Sequence, residues 1–248
     1  MSPRRANQAQ LSTAQIVAAA MELIDETGLE GHTMRALGTK LGVDASTIYY
    51  HLPNKSALYS LLVDEVMAGL DLSGDDPSRS IEDRLVTAAW EFRRALLVHP
   101  RVLPLVGVRS MRTWTQLEGI EILLGILFEA GLNPVEARIG IDVIGQTIMG
   151  MTSVYAAHLT ANEYHDEAEP FAELPAGQFP NFSRILTEGA YLGFEAEFEA
   201  AMRALVGGLL ANAATGTLIP NDARPVPVDP NLNRNNPNEW AKDRSSSG

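Results

Sequence analysis

The feature that most constrains this chain is a recurring unit: a capping residue followed by apolar side chains three and four positions apart. Ser12-Thr-Ala-Gln15 has the form of a capping box, in which each polar side chain satisfies a free N–H of the first helical turn. Ile16, Ala20, Leu23 and Ile24 then recur at helical spacing, and Gly28 is placed to end the helix in a left-handed conformation. Thr33 is a cap for a short second helix that presents Met34, Leu37 and Leu41. Gly42, free to take positive φ, forms the turn in "LGVD". Asp44 is a cap for a third helix, and Asn54 for a fourth with the apolar face Leu58, Leu61, Leu62 and Val66. Nearly the whole chain reads this way, so the expected fold class is all-α.

The polar, Gly- and Pro-containing stretch Asp71 to Ser80 is the best boundary within the chain. Beyond it, Ile81 to His99 reads as a helix stopped by Pro100, and Thr113 to Ala130 as one ended by Gly131. Asn133-Pro134 is a strong helix start, with Asn as cap and Pro at the first position, and that helix runs to about Leu159. "ANEYHDEAEPFAELPAGQFP" is acidic and Pro-rich, a loop with at most a short helix. Asn181 to Gly207 reads as the last long helix. The expected organisation is a head over residues 1–60 with helix 54–70 as linker, a body over 61–210, and a Pro-, Asn- and Ser-rich tail, 211–248, disordered or extended along a partner.

There is no cysteine, which excludes disulfides, cysteine zinc sites and thiol catalysis. No apolar run follows Arg4 and Arg5, and no window approaches the ~20 apolar residues of a membrane span, so a cytoplasmic protein without membrane contact is expected. The formal net charge is -12, and its placement is uneven. Residues 61–210 hold ten basic and 22 acidic side chains, whereas residues 1–60 hold five of each. Unless this is ordinary scatter, only the N-terminal segment can comfortably approach a polyanion.

Two short helices joined by a tight glycine-containing turn make a helix-turn-helix, whose second helix enters the DNA major groove. In the third helix Val43, Ile48 and Leu52 face inward, which leaves Ala45, Ser46, Thr47, Tyr49, Tyr50 and His51 outward. Small residues at its start allow close approach to bases, and Ser and Thr can bond to bases or phosphates. Tyr and His can contact phosphate oxygens, and Lys55 adds a positive charge at the next helix start. The alternative is a plain helical hairpin whose polar face meets water.

The same residues resemble a known family. "TMRALGTKLGVDASTIYYHLPNKSAL" is similar to the N-terminal domain of the TetR family of bacterial transcriptional repressors. The resemblance covers about Ser12 to Leu70. It implies a three-helix DNA-binding head joined by helix four to a larger helical ligand-binding and dimerisation body. Thr33 and Arg35 match backbone- and base-contacting positions, Ala45, Ser46, Thr47, Tyr49, Tyr50 and His51 match recognition-helix positions, and Lys55 matches a phosphate-contacting lysine. "WEFRRALLVHP", "GVR" and "LFEAGL" resemble the body of the tetracycline repressor branch, which binds a drug–magnesium chelate through a histidine just before its G-x-R segment. Here the apolar run Leu103 to Arg109 fills that place, a departure from the metal-binding pattern.

Rival chemistries have little to stand on. There is no Gly-rich phosphate loop, no G-x-S-x-G elbow and no H-E-x-x-H order, and the carboxylates of "YHDEAE" read as solvated. An all-helical enzyme and a non-DNA interaction protein with a decayed recognition helix remain the alternatives. In the body, Trp90, Arg94, His99, Arg109, Trp114, Gln116, Gln146, Met149, Met151, Tyr155 and His158 are candidates to line a ligand pocket. Gly140, Gly145 and Gly150 each weaken their helix by about 1 kcal/mol relative to Ala, which asks for a packing or ligand reason. The expectation is a repressor that binds a palindromic double-stranded DNA operator as a homodimer. The dimer is built on helices 134–159 and 181–207, with Phe194 and Phe198 in the contact. A small, mainly apolar effector, bound without cofactor or metal and oriented by His99, Arg109 or His158, releases the DNA.

Overall fold

The computed structural model describes residues 11–106, 114–161, 177–189 and 193–219. Within them lie ten α-helices and one 3-10 turn, with no strand among the described residues. The head holds α1 (Thr13–Gly31), α2 (Met34–Leu41) and α3 (Ala45–His51), and α4 (Lys55–Ala68) leads out of it. The body holds α5 (Ile81–Val98), the 3-10 turn (Pro100–Val102), α6 (Leu103–Val106), α7 (Trp114–Glu129), α8 (Pro134–Ala161), α9 (Pro180–Glu188) and α10 (Phe194–Thr215).

The caps explain why these helices start where they do. Gln15 N–H donates to Ser12 Oγ and Ser12 N–H donates to Gln15 Oε1, the reciprocal capping box. Thr33 Oγ1 accepts from Ala36 N–H, and Asn54 Oδ1 from Ala57 N–H. Asn133 and Glu136 make a second reciprocal box at the start of α8. Asp44 stands at the start of α3, but its side chain makes no capping bond, contrary to the sequence expectation.

Ile16, Ala20, Ile24, Leu37, Ile48 and Leu58 fill the head, and their cluster continues without interruption into Leu85, Leu96, Leu127, Ile148 and Met202 of the body. The bridge is α4, which packs against α1 on one side and α5, α6 and α7 on the other. Asp71 to Ser80 is a boundary in composition, yet it is pinned. Arg84, nearly buried on α5, donates from Nε and Nη2 to both oxygens of Asp75 and from Nη1 to Glu129 on α7. That guanidinium holds the Asp75 carboxyl below its usual range.

Three boundaries differ from the sequence reading. Gly28 takes positive φ (76°) but with ψ at 174°, so it kinks α1 and one further turn runs to Gly31. The expected helix from Asn181 to Gly207 is two helices, because Gly189 and Gly193 both adopt extended backbone and interrupt the ladder. The last helix continues past residue 211 to Thr215, where Gly216 ends it in the left-handed conformation. Leu209 is buried and Leu210, Ala213 and Leu218 pack on the core, so this segment has an apolar reason to stay helical. Most of the acidic Pro-rich stretch and the chain from residue 220 lie outside the described residues.

Candidate nucleic-acid interface and effector cavity

The turn between α2 and α3 is set by two glycines. Gly42 is left-handed (φ 69°, ψ 27°), a conformation that suits glycine. Gly38 is needed for closeness: a Cβ there would meet Val43 O at 2.8 Å and Ala45 N at 3.3 Å. Val43 N–H donates to Gly38 O at 2.9 Å, which locks the crossing. In the sequence Gly38 shows only as a glycine inside a short helix.

This crossing presents α3 outward. Ile48 and Leu52 are buried, while Tyr50 is 88% exposed and Tyr49 47% exposed. Ser46 is exposed, and Ala45, Thr47 and His51 are half-buried on the same short helix. His51 stands edge-on to the Tyr50 ring at 5.6 Å. Thr33 and Arg35, at the start of α2, are exposed, and Arg35 makes no ion pair among the described residues. Lys40, by contrast, is engaged with Glu22 and Glu26.

Lys55 is engaged within the head: its Nζ donates to His32 O at 2.8 Å and lies 5.0 Å from the centre of the Tyr59 ring. It fastens the start of α4 to the α1–α2 junction. His32 is itself buried, with its Nδ1 3.5 Å from Tyr59 Oη and its Nε2 without a hydrogen-bond partner. Burial, with Lys55 nearby, pushes its pKa down to about 4.

In the body, α4, α5, α6, α7 and α8 line an open cavity of about 400 Å³. Val63 and Met67 of α4, Leu85 and Phe92 of α5, Val106 of α6, Ile120 and Leu123 of α7, and Ile144, Gln146 and Met149 of α8 are among its walls. Of the expected pocket residues, Gln146 and Met149 are here. Trp90, Arg94, His99, Tyr155 and His158 are not.

The reasons are geometric. On α5, Trp90 is two residues from Phe92, roughly 200° round the helix. Trp90 therefore packs edge-on to Phe198 at 4.8 Å and donates from Nε1 to Glu199. Beside it, the Arg93 guanidinium is enclosed by the rings of Trp90, Tyr155 and Phe198. Tyr155 and His158 pack on Phe194. This aromatic cluster joins α5, α8 and α10, so Phe198, 1% exposed, is consumed inside the subunit and does not belong to a dimer contact. Arg94 pairs with Glu91 along a charged groove that also holds Arg84. His99 Nδ1 faces Asp25 Oδ2 at 2.7 Å, between body and head. Met151 packs against the core. Arg109 and the side chains of Trp114 and Gln116 lie outside the described residues.

The repeated glycines of α8 divide. A Cβ at Gly140 would meet Leu209 at 3.1 Å and Leu127 at 3.3 Å, which is close packing. Gly145 lines the cavity, and a Cβ there would meet nothing within 4 Å; nor would one at Gly150. The drug–magnesium pattern does not fit the described lining, which holds one carboxylate, Asp142, one amide, Gln146, and no imidazole. No group of three or more His, Asp or Glu among the described residues is arranged to hold a metal ion, and no described helix is long and apolar enough to cross a membrane.

A helix-turn-helix head in one continuous core with a hollow helical body defines a class: DNA-binding regulators of transcription. Residues 16–62 match the family model described as bacterial regulatory proteins, tetR family, and residues 73–213 match the one described as tetracyclin repressor-like, C-terminal domain. The chain belongs to the TetR family. It is 31% identical over 154 residues to the class D tetracycline repressor of Escherichia coli, across 62% of this chain and 70% of that protein. It is 26% identical to the transcriptional repressor DrrR1 of Streptomyces coeruleorubidus, over 76% of this chain and 69% of that one. Among solved structures, a possible TetR family regulator from Streptomyces coelicolor A3(2) superposes with a TM-score of 0.71 at 27% identity, covering 81% of this chain and 99% of that one. ActR of Streptomyces coelicolor, solved with actinorhodin, shares the fold at a TM-score of 0.74 and 24% identity, covering 84% of this chain and 99% of that one. Proteins of this family are regulators rather than enzymes.

Proposed function

We propose that the protein represses transcription by binding a palindromic operator as a two-fold homodimer, and that a small, mainly apolar molecule in the body cavity releases it. Tyr49, Tyr50 and His51 hold the phosphate backbone, while Arg35, Ala45, Ser46 and Thr47 approach base edges and Thr33 supports the entry of α2. Two heads meet successive major grooves when they stand about 34–36 Å apart, or a multiple of it.

The observation that carries this reading is that Val63 and Met67 of α4 wall the cavity, while Lys55 at the other end of the same helix is fastened to His32 of the head. A ligand that fills the cavity thus presses on the helix that sets the head's position. It shifts the equilibrium between head separations only by its difference in affinity for the two states. The kinship with tetracycline repressors and the fold shared with ActR support ligand control, but the lining supports a ligand bound without magnesium.

The test is a mobility-shift titration of the full chain on DNA upstream of its own gene. Salt-sensitive, sequence-preferring binding is expected, and its absence overturns the regulator reading. Candidate apolar ligands are then added with and without EDTA. Release that disappears on chelation and returns with magnesium overturns the metal-free effector.

A further inference from the structure

The cavity carries a sign as well as a shape. Its described walls are apolar apart from Asp142 and Gln146, and hold no lysine, arginine or histidine. Asp142, Gly145, Gln146 and Met149 stand at helical spacing along α8 and line the cavity together, so the polar groups stand beside the glycine gap. That gap is not required by packing, since a Cβ at Gly145 would touch nothing. A glycine inside a long helix weakens it, and at this position room for a ligand is what it gains.

We propose that the cavity selects molecules with an apolar body and a basic, protonated head, the body seated against Gly145 and the head on the Asp142 carboxylate, with the Gln146 amide oxygen as second acceptor. This rests on the effector reading of the same cavity. A carboxylate ligand placed there faces Asp142 with no cation in the described lining to offset the repulsion. The partner Asp142 already has is Arg138, one turn earlier, with Nη1 at 2.7 Å. Both side chains are about half or more exposed, and an exposed pair of this kind contributes little. A carboxylate has lone pairs for both the guanidinium and an incoming ammonium. The field agrees: residues 61–210 hold 22 acidic against ten basic side chains, which draws cations toward the body and repels anions.

The test uses the full chain and three probes with one apolar body: naphthylmethylamine, naphthylmethanol and naphthylacetate, titrated by calorimetry at neutral pH. The amine is expected to bind about three- to tenfold tighter than the acid, with the alcohol between, the modest ratio that a half-exposed carboxylate allows. Asp142→Asn should collapse the amine–acid ratio toward one while leaving alcohol affinity unchanged. Gly145→Leu should fill the gap and weaken all three probes without lowering the melting temperature. An acid that binds as tightly as the amine, or a ratio unmoved by Asp142→Asn, overturns the charge selection. If the alcohol still binds and is still lost in Gly145→Leu, the effector cavity stands and only the cation preference falls. If no probe binds, both readings fall.

Discussion

His99 Nδ1 and Asp25 Oδ2 lie 2.7 Å apart and join the end of body helix α5 to head helix α1. The neighbouring Arg101 strengthens the same seam by donating from Nη1 to Glu26 O at 3.1 Å. His99 is therefore a joint between two parts of the chain and not a ligand-orienting group. His99→Ala is expected to leave probe affinity for the cavity within about twofold, while lowering stability by roughly 0.5–1 kcal/mol for a part-exposed polar pair. Calorimetric binding and thermal melting measure the two effects. Lost probe binding in a folded variant would place His99 back in the cavity.

Gly38→Ala tests the head. The added methyl must displace the Val43 carbonyl, so a loss of about 1–3 kcal/mol is expected, as for overpacking elsewhere. Operator affinity should fall because the α2–α3 crossing opens. Gly42→Ala should be milder, since space is open there and only its positive φ is strained. Chemical denaturation and mobility shifts on both variants rank them, and a milder Gly38→Ala rejects the close-approach argument.

The recognition face separates two kinds of loss. Tyr49→Ala and His51→Ala should weaken binding almost equally on all operator variants, as expected of phosphate contacts. Ser46 and Thr47 substitutions should change which variant is preferred, by about 1–3 kcal/mol per altered base contact. Lys55→Ala should instead lower the melting temperature, because its ammonium ties α4 to the head. A titration panel in which all of these variants lose affinity uniformly rejects the division of roles.

His32 makes the stability depend on pH. Its folded pKa, about 4, lies below the ordinary 6.5, so the unfolded chain binds the proton more tightly. Stability is therefore full above about pH 6.5 and is lost as pH falls toward 4. Between pH 7.5 and 5 the loss is about 2 kcal/mol, at about 1.4 kcal/mol per pH unit once the unfolded histidine titrates. Urea denaturation of the wild type and His32→Phe at the two pH values isolates this histidine from the carboxylates. Equal pH dependence in both would refute the assignment.

How much of this was legible in the sequence depends on the range of the forces involved. Caps at Ser12, Thr33 and Asn54 act over three residues, so the helix starts were readable. The recognition face followed from helical periodicity for the same reason. The cavity depends on which of two faces of α5 meets α8, and nothing local distinguishes Phe92 from Trp90 there. Trp90 has the size and polarity of a pocket residue, but it packs with Arg93 and Phe198 in a structural cluster. Gly145 stood out only as one of three helix-weakening glycines, and Asp142 carried no sequence signal of a site, because an acid on a helix acquires meaning only from the hollow beside it.

The dimer is the last expectation, and the structure moves its chemistry. Phe198 is buried within the subunit, so the contact must use other surfaces of α8 and α10. Val143, Thr147, Gly150 and Val154 form one stripe at helical spacing on α8; all but the half-buried Thr147 are exposed. Ala200, Ala204, Gly208 and Ala211 form an exposed stripe on α10. Small side chains let two helices approach closely, and a two-fold axis would set each stripe against its own copy. A charge placed there meets its own symmetry mate, so Ala204→Glu introduces two like charges at one contact. The expected outcome is a folded monomer at micromolar concentration by light scattering, with unchanged probe binding in the cavity. Operator affinity should fall steeply, because one head retains only a half-site. A variant that remains dimeric would exclude this face of α10 from the interface.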